Sequence, residues 1–188
     1  MDISVVLIAI IVVVVLVLLF VLRLYNRLVA MRNKVRNAWS DIDVQLTFRH
    51  NLVPNLVESV KGYMTHEREA LEAVAQARRG AAIKSDADIA TRAVAEIALS
   101  GAVGNLFAVA ERYPELKASQ NFLLVQEQLT TTENRIAFAQ QHYNEMVRQF
   151  NTSIAEFPGN LVAAVFGYSP EKMFAAESQN RAPAQMRT

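Results

Sequence analysis

Three histidines and one misplaced glutamate are the residues of this chain best suited to chemistry. His50, His66 and His142 are potential metal ligands, and a di-metal site in a helical bundle takes glutamates and Glu-x-x-His pairs from facing helices. The residues three before the histidines are Thr47, Tyr63 and Ala139, so that pattern fails. His66-Glu67-Arg68-Glu69-Ala70 lacks the second histidine of a zinc-protease helix. No GxSxG elbow, GKS/T phosphate loop or GxGxxG turn occurs. The absence of cysteine excludes disulfides, thiolate nucleophiles and cysteine metal sites. No catalytic, cofactor or metal residue is assigned, and the chain is read as non-enzymatic.

Glu67 stands out because it falls in an apolar seam, seven residues after Val60 and seven before Val74. A carboxylate there must be paired or protonated. One reading is a proton or metal relay with His66; the favoured one is a buried polar layer of Arg49, Glu67, Glu133 and Arg135 that fixes helix register.

The elements that would position these residues begin with an apolar run, Val5 to Leu22. From Ile3 to Leu22 a helix spans roughly 30 Å, the thickness of a bilayer's hydrocarbon core. A cleaved signal peptide would need a basic start and a small-residue cleavage site, which Met1-Asp2 and Arg23 to Asn26 do not provide. Arg23, Arg27, Arg32, Lys34 and Arg36 follow the run before the first acid, Asp41. Basic flanks stay cytoplasmic, so the N-terminus is expected outside and the remaining chain inside the bacterial inner membrane. Beyond this cluster the charges of both signs are interspersed and the net charge is +1, which argues against a nucleic-acid surface.

The soluble part reads as all-α: a transmembrane helix continuing into an up-and-down four-helix bundle. The expected parts are an anchor (1–24), a bundle (25–156) with helices near 25–50, 51–79, 86–113 and 115–155, and an apolar segment with a polar tail (157–188). Helix 1 carries Leu28, Val35 and Ile42 at seven-residue spacing, with Trp39 as a core anchor. Around Pro54 two signals conflict. The heptad phase runs through Arg49, Val53 and Val60, yet proline removes a backbone bond to His50. Matched helix lengths favour a reversal near Asn51. Arg78-Arg79-Gly80 looks like a helix end, and Ser85-Asp86 with Asp88 like the next start. Gly101 and Gly104 are expected to allow close helix approach. The fourth helix has the cleanest repeat: Phe122, Leu129, Ile136, Tyr143 and Phe150. After Phe157-Pro158-Gly159, the stretch Leu161 to Phe166 is too short to span; Leu161, Val162, Val165 and Phe166 are candidates for a membrane or subunit interface, or for packing on helix 1. Residues from Ser178 onward are read as a frayed end.

Several motifs together resemble the LemA family over nearly the whole chain. They include Tyr25-Asn26-x-Leu28-Val29, Asn37-Ala38-Trp39, Ile42-Asp43-Val44-Gln45-Leu46, Leu52-Val53-Pro54-Asn55-Leu56-Val57 and Val60-Lys61-Gly62-Tyr63. Glu111-Arg112-Tyr113-Pro114-Glu115-Leu116, Thr132-Glu133-Asn134-Arg135-Ile136, Tyr143-Asn144 and Phe157-Pro158-Gly159 extend the likeness. The resemblance implies an inner-membrane protein with one N-terminal span, a cytoplasmic up-and-down bundle and no established catalytic residues. Relatives are associated with magnetosome membranes, and others are encoded near membrane metalloproteases. Phe48, Asn51 and Gln140-Gln141 depart from the charged residues usual in the family, and the tail around Ala182-Pro183-Ala184 lacks its usual ending. The partners expected are the lipid bilayer, further copies of the chain and a membrane protein; nucleic acid and cofactors are not expected. The role expected is a self-assembling membrane scaffold, with a regulator of a membrane protease as the alternative.

Overall fold

The structure, a computed structural model, describes residues 3–83 and 88–174. Among them are six helices and no strand: α1 (Ile3–Lys61), α2 (Arg68–Ile83), α3 (Ile89–Ala110), α4 (Pro114–Lys117), α5 (Gln120–Ala155) and α6 (Gly159–Phe166). The chain is an all-α helical bundle headed by an apolar helix. Every residue from Ile3 to Phe20 is exposed, so none of the described residues covers the membrane-length run.

The described residues divide into two compact units, one of residues 3–38 and 145–171, the other of residues 39–144 and 172–174. In the first, Leu28 and Val35 of α1, Val147, Phe150 and Ile154 of α5, and Val162 and Ala163 of α6 are buried. Asn151 brackets residue 171 here, accepting from the Glu171 N–H and donating to its carbonyl, each at 2.9 Å.

The second unit holds the larger core, built from Leu52, Val53, Leu56 and Val60 of α1, Val74 of α2, Leu99, Val103 and Leu106 of α3, and Phe122 and Leu129 of α5. Half-buried Trp39 meets Tyr143 edge-on at 5.4 Å and Phe174 at 6.1 Å. Asn144 holds Phe174 by both of its backbone groups.

The expected reversal near Asn51 does not occur: α1 runs through Pro54 to Lys61. Its heptad positions Leu28, Val35, Ile42, Arg49 and Leu56 are all buried, so a break at Asn51 would have discarded a continuous seam. Proline inside a helix costs about 3 kcal/mol, partly by orphaning the carbonyl four residues back. That carbonyl belongs to His50, and the Arg78 Nε–H of α2 donates to it at 3.1 Å. A side chain from the next helix thus replaces the bond that proline removes. The turn falls instead after Lys61, where the Tyr63 and Met64 N–H groups both donate to the Val60 carbonyl.

α2 likewise passes through Gly80 to Ile83, because Ala81 and Ala82 continue the helix. Asp88 caps α3, its carboxylate accepting from the Ala90 and Thr91 N–H groups; Ser85 and Asp86, the expected start, lie outside the described residues. The expected helix over 115–155 is broken at Ala118–Ser119 into α4 and α5. Phe122, Leu129, Ile136, Tyr143 and Phe150 are each at most 3% exposed, as their spacing requires. The end from Ser178, including Ala182-Pro183-Ala184, lies outside the described residues.

Candidate functional site

α1 carries Arg49 at a seam position and leaves it only 1% exposed. A guanidinium without water must find its acceptors inside the protein. One terminal nitrogen donates to Glu133 of α5 at 2.8 Å and to the Ser100 hydroxyl of α3. The other donates to the Glu96 carboxylate of α3 and to its backbone carbonyl at 3.2 Å. His50, the next residue on α1, places Nε2 3.2 Å from the second Glu96 oxygen. Burial pushes the Glu96 carboxyl up, but the His50 and Arg49 contacts outweigh it and hold the group below the ordinary glutamate range.

A second pair lies beside the first. Arg92, one turn before Glu96, reaches Asp43 of α1 and lies over the Trp39 ring at 5.3 Å. Its Nε is buried without a partner. An open cavity of about 410 Å³ adjoins both pairs, lined by Asp43, Thr47, His50, Ala82, Arg92 and Glu96. Among the described residues no three His, Asp or Glu side chains converge on one point. The acids and bases here are spent on each other, an arrangement suited to locking α1, α3 and α5 in register.

Of the four residues expected in a polar layer, Arg49 and Glu133 meet. Glu67 does not join them. The helix it was expected to occupy is the turn between α1 and α2, and there its carboxylate accepts from Arg112 at 2.9 Å and from the Tyr113 hydroxyl at 3.1 Å. Desolvation first, and then this carboxylate, push the Tyr113 phenol up. Arg135 is exposed on α5, one position away from the buried Ile136. Glu96, Ser100 and Arg92 were missed. Arg92 and Glu96 are the only charged residues between Ile89 and Ala110, of opposite sign and four apart, which was the available signal.

α3 also corrects the expectation for its glycines. Gly101 and Gly104 face outward, and a Cβ at either would meet nothing within 4 Å. On the same side Val94 is 70% and Ile97 50% exposed, joined by exposed Ala98 and Ala108. Asn105 is the polar residue on this exposed side; α3 is otherwise largely apolar outside as well as inside apart from Arg92 and Glu96, although only one side is covered by the described residues. By length and composition it could cross a membrane. Its buried Arg92 and Glu96, both paired with α1, make it a bundle helix.

In the candidate interface on α6, Val162 is buried whereas Leu161, Val165 and Phe166 are exposed. Phe166 also packs on Tyr25 of α1, with ring centroids 4.6 Å apart. Contact with helix 1 and an uncovered apolar side thus occur together.

Residues 38–187 match the model of the LemA family. Protein LemA of Metamycoplasma hominis is 29% identical over 143 residues, covering 73% of this chain and 63% of that protein. Magnetosome protein MamQ 2 of Paramagnetospirillum magneticum is 26% identical over 174 residues, covering 80% and 64%. Magnetosome protein MamQ of Magnetospirillum gryphiswaldense is 23% identical over the same length. The chain thus spans a little under two thirds of the length of these relatives. With its uncovered apolar helix, the protein is membrane-associated, and a match over residues 38–187 means that this chain belongs to the LemA family.

Proposed function

We propose that the protein is a non-enzymatic scaffold, held by one span in the bacterial inner membrane with its bundle in the cytoplasm, which self-assembles through the outer side of α3. The observation that carries the reading is the uncovered, uncharged α3 surface from Val94 through Gly101 and Gly104 to Ala108. An exposed apolar surface of this kind ordinarily marks an interaction site. Small residues on such a helix let a second backbone approach closely. No other described helix of this chain makes that approach, and a second copy offers the same surface. The absence of charge also makes the surface self-compatible, because pairing two copies opposes no like charges.

The orientation is supported by the basic cluster from Arg23 to Arg36. A C-terminal alkaline phosphatase fusion should be inactive in intact cells; an active one places the bundle outside. The chain has no cysteine, which makes single-cysteine crosslinking direct. Ala98→Cys or Gly101→Cys in native membranes should yield disulfide-linked dimers on mild oxidation, whereas Glu72→Cys, exposed on α2, should not. Failure of both α3 positions to crosslink removes the proposed interface.

A further inference from the structure

α6 presents two sides. Gly159, Val162 and Ala163 are buried, and Phe166 rests against Tyr25. Gly159 allows this seat, since a Cβ there would lie 2.1 Å from the Ser153 carbonyl oxygen of α5. On the other side Leu161 is 58% and Val165 78% exposed, continued by Phe157 at 79% and Phe166 at 51%. Four large apolar side chains stand uncovered within an uncharged stretch from Phe157 to Phe166.

Their level along α1 indicates what covers them. Leu24, Arg27 and Leu28 of α1 line one small cavity with Phe157, Pro158 and Gly159, and Tyr25 meets Phe166. The apolar run ends at Leu22. At 1.5 Å per residue these contacts fall within about 9 Å of the run's end. That is about the level of the headgroup region, roughly 5–8 Å thick on each side of the hydrocarbon core, where interfacial helices lie with their apolar side turned to the acyl chains. Aromatic residues are favoured there, and Arg23 and Arg27 at the same level of α1 suit anionic headgroups.

We propose that α6 is a lipid-seated foot: Phe157, Leu161, Val165 and Phe166 enter the interface of the leaflet from which the span emerges, so the chain meets the bilayer at two points. Phe166 ties the patch to Tyr25, three residues past the end of the apolar run, which favours lipid over a second copy as its occupant. The inference rests on the reading that Ile3–Leu22 spans the bilayer.

The test uses the full chain in vesicles of phosphatidylcholine with a minority of phosphatidylglycerol. An environment-sensitive fluorophore is placed on single cysteines at Leu161, Val165, Val13 and Glu72. Spin-labelled lipids report depth, and iodide reports water. Labels at Leu161 and Val165 should be quenched severalfold more by lipids labelled near the headgroup than the Glu72 label is, and be protected from iodide. Adding Val165→Glu should abolish the lipid quenching of the Leu161 label. The Val13 label should respond to lipids labelled deep in the acyl chain; if it does not, the span reading itself fails. If it does, while the α6 labels are quenched by iodide as readily as Glu72, the foot alone is refuted. Labels at Leu161 and Val165 shielded from both quenchers would mean that protein covers α6, which also overturns the proposal.

Discussion

Replacing Arg49 by methionine keeps most of the side-chain length and removes the charge. Its consequence is governed by Glu96, whose side chain is 4% exposed and would keep only His50 as a side-chain partner. Removing one partner of a buried ion pair costs about 3–5 kcal/mol, because the other charge is left uncompensated. Glu133 adds little to that figure: its side chain is 35% exposed, and solvent-screened pairs contribute roughly 0–1 kcal/mol. Neutralising the orphan should restore most of the loss, so Arg49→Met with Glu96→Gln should be more stable than Arg49→Met alone. The assay is urea unfolding of the full chain in mild detergent, followed by Trp39, the single tryptophan, whose ring sits against Tyr143, Phe174 and Arg92. The coupling should appear as a double-mutant energy well above the few tenths of a kcal/mol found for independent sites. Additive effects of the two substitutions, or a cost for Arg49→Met below about 1 kcal/mol, would refute the reasoning that this cluster is one buried network.

The depressed Glu96 carboxyl sets a pH dependence: its stabilising contribution is complete above the ordinary glutamate pKa of 4.5 and is lost as pH falls through the lower folded-state value. The stability gap between the natural chain and Glu96→Gln should therefore shrink on acidification through that window. Arg78→Met should cost about 1–3 kcal/mol by leaving the His50 carbonyl unpaired, and should cost measurably less in a Pro54→Ala background, where the helix can make its own bond. Gly159→Ala should destabilise by about 1–3 kcal/mol through overpacking against Ser153, with faster proteolysis near Phe157 as the readout. Gly104→Ala has open space around it, so it should stabilise the isolated bundle by up to about 1 kcal/mol while weakening self-association measured by crosslinking.

Periodicity carried the helices that have a single apolar side. Phe122 to Phe150 on α5 and Leu28 to Ile42 on α1 were legible because most of the intervening positions are polar. Pro54 misled because local propensity cannot show a donor arriving from another helix; only the fold brings Arg78 to the His50 carbonyl. α3 resists phasing for the opposite reason: with apolar residues on most sides, its sequence does not show that Ile97 is 50% exposed. For the same reason Glu96, the centre of the cluster, went unnoticed. Arg49 was legible as a charge in a seam, whereas Glu67 looked equivalent only while α2 was thought to begin near Asn51. Phe174 carried no periodic signal at all. It is held by Asn144, whose side-chain amide donates to its carbonyl and accepts from its N–H.

The central claim is self-assembly through α3, and the size of the particle in its own membrane tests it most directly. Mass measurement of single particles extracted with native lipid should give a multimer for the natural chain and a monomer for Ile97→Glu, a substitution at an exposed position. A monomer for the natural chain, or an unchanged multimer for a folded Ile97→Glu variant, would contradict the account.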